Sequence, residues 1–231
     1  MHLVSLWSLL VELDSGGELL KPALVCGLLE QVCAQLEELH AAGRAHGALS
    51  PSCMAVTARG DVVLGDGDGS PVYWAPEQVV GIAPSPRSDV FALGLVLHDL
   101  ARGVRPMHDR IGALAEVTLD GLALPLREIV HGALATAPRE RFASASELGA
   151  ALRDAGDAWG GSFARPDIAA WLAARRARRA ASDHDVIATA PSGSRTAIVA
   201  ARGDRLPYVV GICALAAFVA MMFTAAIPTG M

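Results

Sequence analysis

Apolar residues recur at spacings of three and four through two long stretches, and that period limits the chain to a fold built mainly from helices. Val25, Leu28, Leu29, Val32, Leu36 and Leu39 mark one amphipathic helix ending near Ala42 and Gly43. Val90, Leu93, Leu97 and Leu100 mark a second, which Gly103 stops. Ser144-Ala145-Ser146-Glu147 reads as a capping box that starts a third, with Leu148, Ala151 and Leu152 turned inward. Strand signals are sparse. Residues 55–57 and 62–64 flank Arg59-Gly60-Asp61 as a small hairpin, and residues 1–13 read as a pair of short strands. The expected class is therefore mainly α with a minor sheet (α+β).

Three strings in fixed order carry the chemistry. His46-Gly47-Ala48-Leu49-Ser50-Pro51-Ser52-Cys53 comes first; Asp66-Gly67-Asp68 follows, with Asp66 eighteen positions after Ala48; Ala75-Pro76-Glu77 begins nine positions after Asp66. Ser88-Asp89-Val90-Phe91-Ala92-Leu93-Gly94, residues 126–130 and Pro138-Arg139-Glu140-Arg141-Phe142 come next. In that order the strings resemble the H-R-D-L-K-P-x-N, D-F-G and A-P-E segments and later helices of bacterial Ser/Thr protein kinases. The likeness covers roughly residues 9–155 and implies the helical C-terminal lobe of that fold.

The resemblance also shows what has changed. Ala48 occupies the position of the carboxylate that accepts the substrate proton, and a methyl group accepts none. Ser50 stands where a lysine steadies the transferring phosphoryl group, and Cys53, a soft ligand, where an asparagine holds a second magnesium. Asp66 keeps the metal-binding position. The resemblance implies that His46, Glu77, Asp89 and Arg141 are structural: His46 packs, Asp89 ties down the catalytic-loop backbone, and Arg141 pairs with Glu77 in a buried ion pair. Residues 10–19 resemble the segment joining a kinase's two lobes, which makes Glu12 and Leu13 the candidates for nucleotide contact and residues 1–8 a residual strand of the upper lobe. The only lysine is Lys21, downstream of that segment, so no lysine is placed to grip the α and β phosphates. No cofactor is expected, or ATP with magnesium held weakly.

A net charge of −5 and an isoelectric point near 5.8 argue against a nucleic-acid binder. Cys26, Cys33, Cys53 and Cys213 have neither disulfide-framework nor zinc-site spacing. Asp66, Asp68, Ser70 and Glu77 imitate a calcium loop, but Pro71 holds the position that must be glycine. Past residue 155 the composition shifts. Residues 168–181 read as a helix carrying Arg175, Arg176, Arg178 and Arg179, and residues 182–204 as a linker, giving a connecting region of 156–206.

Residues 208–227 are uncharged and apolar, about 30 Å as a helix, enough to span a bilayer. Arg202 and Arg205 precede them and no basic residue follows, which orients the N-terminal domain to the cytoplasm. The expected protein is a single-pass, tail-anchored inner- or plasma-membrane pseudokinase, with the transmembrane helix at 207–228. It would act as scaffold or decoy toward a protein partner, another kinase or a second copy, through an exposed lobe face around Val11, Leu13 and Met54. The rival expectation is the C-terminal part of a receptor-like kinase whose start lies upstream of Met1, binding ATP with little or no transfer.

Overall fold

The computed structural model describes residues 3–67, 69–104, 117–161 and 163–188. Residues 1–185 form one compact unit; a second, residues 186–231, lies almost wholly outside the described residues, and with it the expected span at 208–227. Among the described residues no helix is long and apolar enough to cross a membrane.

The chain opens with strand β1 (Leu3–Ser5) and passes directly into helix α1 (Leu6–Gly16). Ser5 caps α1, its hydroxyl accepting from the Ser8 amide at 3.1 Å, and Gly17 ends it in the left-handed region at φ 62°. Of the pair of short strands expected in residues 1–13 only Leu3–Ser5 forms, and a helix occupies most of the rest and the first part of 10–19. Leu6, Leu9, Leu10 and Leu13 lie three and four apart, all four are buried, and that period outweighs the local likeness in 10–19. Leu13 is 1% exposed and Met54 0%, so the apolar face expected around them is core.

Helix α2 (Pro22–Ala41) follows, then a single 3₁₀ turn and the antiparallel hairpin β2 (Met54–Thr57) and β3 (Val62–Leu64). The sheet order is β1-β2-β3, with Val4 opposite Val56 and Val56 opposite Val62. Two glutamines of α2 occupy the free edge of β3. Gln31 donates to the Gly60 carbonyl at 3.1 Å and accepts from the Val62 amide at 3.1 Å; Gln35 donates to Val62 at 2.9 Å and accepts from Leu64 at 3.0 Å. The side-chain amides act as a surrogate strand, satisfying backbone groups that an edge leaves open.

Helices α3 (Pro76–Val79), α4 (Pro86–Arg102), α5 (Leu124–Ala133), α6 (Ala145–Ala158) and α7 (Arg165–Ala188) complete the order. Helix α4 is central: every residue from Ser88 to Leu100 is buried. Its stop is Gly103 at φ 62°. At α6 the Ser144 hydroxyl accepts from the Glu147 amide at 3.1 Å, while the Glu147 carboxylate takes the Ala143 amide, one residue further back than a standard capping box. Helix α7 runs seven residues beyond the expected end at 181, and its Ile168 and Leu172 are buried in the same core as α2 and α6. The compact unit thus extends well past residue 155.

Candidate functional site

Asp89, in the first turn of α4, organises the loop that precedes β2. It is 1% exposed, and its carboxylate accepts from the backbone amides of His46 at 2.8 Å and Gly47 at 2.7 Å. His40, in the last turn of α2, supplies a third bond, from Nε2 at 2.8 Å. His40 Nδ1 is buried without a partner among the described residues. Nothing in the local sequence singles out His40, since the bond joins it to a residue 49 positions away.

His46 has both ring nitrogens committed. Nε2 faces the Gly65 carbonyl at 2.9 Å, so it carries the proton, and Nδ1 accepts from the Ala48 amide at 3.4 Å. His46 is therefore a bridge between loop 46–53 and loop 65–67, a bonded role where the resemblance implies packing. Gln78 adds a second tether: its Nε2 donates to the Gly47 carbonyl at 2.8 Å and its Oε1 accepts from the Ala75 amide at 3.1 Å. Sequence reading passed over Gln78, although it directly follows Ala75-Pro76-Glu77.

The two loops are in close backbone contact. A Cβ built on Gly67 would lie 1.8 Å from the Ala48 carbonyl oxygen, so no side chain fits at position 67 without displacing the loop. Asp66 is exposed, and Asp68 lies outside the described residues. Ser50 and Cys53 are buried and turned on each other: the Cys53 thiol donates to the Ser50 carbonyl at 3.0 Å and accepts from the Ser50 amide at 3.4 Å, and the Ser50 hydroxyl meets that of Ser52 at 2.7 Å. Glu12 and Leu13, the candidate nucleotide contacts, are elsewhere: Leu13 is in the core, and Glu12 pairs with Arg175 and Arg179 of α7. Among the described residues no group of three His, Cys, Asp or Glu side chains is arranged to hold a metal ion. Burial pushes the Cys26 thiol up to about 12 and raises that of Cys33 as well, far from the thiolate form.

Below this loop cluster lies the anchor. Arg141 donates to both carboxylate oxygens of Glu77, at 2.7 and 2.8 Å, to the carbonyls of Arg87 and Thr136, and through Nε to the carbonyl of Ala135. Its guanidinium also stands over the Phe91 ring, 4.7 Å from the centroid. Ser88 donates to Glu77 at 2.7 Å. Burial pushes the Glu77 carboxyl up, but the hydrogen bonds from Arg141 and Ser88 outweigh it and hold the group below the usual carboxylate range. The Glu77–Arg141 ion pair expected from the sequence is thus formed, between an arginine side chain 0% exposed and a glutamate 10% exposed.

The open concavity of about 1190 Å³ between α2, α6 and the start of α7 lies apart from this cluster; Glu38, Arg153, Asp157 and Phe163 are among its lining, and His46, Ala48, Asp66 and Asp89 are not.

No protein-family model matches the chain. It is similar to the Ser/Thr-protein kinase PknL of Mycobacterium tuberculosis, 29% identical over 182 residues that cover 62% of this chain and 46% of that protein. It is also similar to Pkn1 of Myxococcus xanthus, 29% identical over 59% of this chain and 25% of that protein. The chain therefore spans less than half the length of these relatives. Among solved structures, the kinase domain of M. tuberculosis PknI superposes with a TM-score of 0.60 at 24% identity, over 68% of this chain and 64% of that one. The chain has a protein kinase-like fold. A kinase-like fold explains the ordered spacing of the loop cluster, the Asp89 brace and the Glu77–Arg141 anchor. Coverage of about two thirds of the PknI domain fits a single lobe.

Proposed function

We propose that the protein is a membrane-tethered pseudokinase, a scaffold or decoy in Ser/Thr kinase signalling. One observation carries the reading: the loop that would supply the proton acceptor presents the methyl of Ala48, and the Ala48 carbonyl is covered by Gly67. Phosphoryl transfer depends on positioning and charge stabilisation, so loss of the base together with a serine at position 50 and a cysteine at position 53 removes most of what the loop would contribute. The tether is the uncharged run 208–227, with the domain on the cytoplasmic side, and no nucleic acid is involved. The protein partner, another kinase or a second copy, meets the outward sheet face, where Leu3 and Val63 are 53% and 41% exposed and Trp7 at the start of α1 is 37% exposed. That face replaces the one centred on Leu13 and Met54.

A second reading is the C-terminal part of a longer receptor-like kinase that binds ATP and transfers phosphate weakly or not at all. The retained Asp66 and the 46% coverage of PknL favour it. Thermal denaturation of the purified protein with and without ATP and magnesium separates the two. The scaffold reading expects no shift, whereas a stabilisation that Asp66→Ala removes supports the second.

A further inference from the structure

Helix α7 is held by two different forces along its length. Its first two turns are fixed by burial and fit. Ile168 is 0% exposed and Leu172 3%, Arg165 pairs with Asp61 at 3.1 Å, and a Cβ on Gly60, at φ 84°, would lie 1.9 Å from the Arg165 carbonyl oxygen. Beyond Leu172 apolar burial stops: residues 173–181 are exposed apart from Arg175. Charge takes over there. Arg175 reaches Glu12 at 3.3 Å and Glu18 at 2.6 Å while its guanidinium lies 5.6 Å from the Trp171 ring centroid, and Arg179 pairs with Glu12. Both acids belong to α1 or the turn after it. Arg176 and Arg178, between and beside these two, are exposed.

We propose that α7 beyond Leu172 is a two-position latch. It is closed when Arg175 and Arg179 hold Glu12 and Glu18, and open when these arginines, with Arg176 and Arg178, turn to the headgroups of an anionic lipid bilayer. Three features carry this. The closed contact is partly solvated, with Glu18 56% and Arg179 63% exposed, so competing anions reach it. Glu12 and Glu18 hold only Arg175 and Arg179 of the four arginines, and among the described residues Arg176 and Arg178 stand exposed, placed for an anionic surface to take up their charge. The burial that ends at Leu172 leaves the first two turns as a fixed root about which the remainder moves. The open state rests on the membrane tether proposed above, which brings headgroups to the helix; the closed state does not.

The test uses the full chain with Cys213→Ser and nitroxide labels at two exposed positions, Leu19→Cys and Ala181→Cys, since the other three cysteines are buried. Spin-label distances are measured after reconstitution in phosphatidylcholine nanodiscs and in phosphatidylcholine–phosphatidylserine nanodiscs. A single short distance is expected in the neutral discs, and a fall of about fivefold or more in the closed-to-open ratio in the anionic ones. Glu12→Gln with Glu18→Gln should produce the long distance already in neutral discs. The charge-swapped variant, Glu12→Arg, Glu18→Arg, Arg175→Glu and Arg179→Glu, should stay closed in both. Equal distance distributions of the unswapped protein in the two disc types overturn the latch. Failure of the protein to co-elute with neutral discs instead overturns the tether, and the latch is then judged on the soluble protein by adding phosphatidylserine vesicles, where an unchanged short distance rejects it.

Discussion

Two clusters that the fold brings into one domain have opposite character. Around Arg141 every donor nitrogen is committed: Nε, Nη1 and Nη2 share five bonds, and the carboxylate they grip is nearly dry. Around Ala48 the polar contacts join backbone to backbone-directed side chains, and the acid left in the loops, Asp66, is exposed. The difference teaches where this fold needs its kinase-like residues. Glu77, Asp89 and Arg141 hold loops and helices in place whether or not phosphate is transferred, so the architecture does not depend on which residues stand at 48, 50 and 53.

The sharpest way to break the comparison is at the anchor. Arg141→Ala leaves the Glu77 carboxylate desolvated and three carbonyls without their donor, and should cost about 3–5 kcal/mol in chemical denaturation. A loss within error of zero would mean that the pair is ornamental and the two clusters equivalent. Next is the brace. Asp89→Ala orphans the amides of His46 and Gly47 and should cost about 3 kcal/mol, accompanied by faster hydrogen exchange of those amides. Gly60→Ala drives a methyl into the start of α7 and, with its positive φ, should cost about 1–3 kcal/mol while sparing the loop cluster. Ser144→Ala, removing the cap of α6, should cost about 1 kcal/mol.

The same anchor sets a pH dependence. Because the folded protein holds the Glu77 carboxyl below its ordinary range, the stabilisation is present above the unfolded group's pKa and is lost as pH falls through the lower folded value. The acid side of the stability profile should therefore be flatter in Glu77→Gln than in the natural protein. Denaturation midpoints measured downward from neutral pH check this, and parallel profiles would assign the acid sensitivity to other carboxylates.

Legibility from sequence followed the range of the interactions. Helices α2 and α4 and the cap of α6 were readable because a few neighbouring residues decide them, and so was the hairpin around Gly60. The ion pair, across 64 positions, was readable only because the resemblance gave both ends. Helix α1 was misread because a local likeness in 10–19 competed with the period of Leu6, Leu9, Leu10 and Leu13. His40 and Gln78 were missed because their bonds answer to backbone and carboxylate groups that only the folded chain brings close. The docking of α7 was hidden for the same reason: Arg175 meets Glu12 across 163 positions, and the need for glycine at 60 appears only when Arg165 lies against it.

The central claim is that the frame is kept while the chemistry is gone. Incubating the purified protein with γ-labelled ATP, magnesium and a generic protein acceptor tests it most directly. The account predicts label on the acceptor and on the protein itself no higher than in buffer, for the natural chain and for Asp66→Ala alike. Transfer above that background that disappears in Asp66→Ala would contradict it.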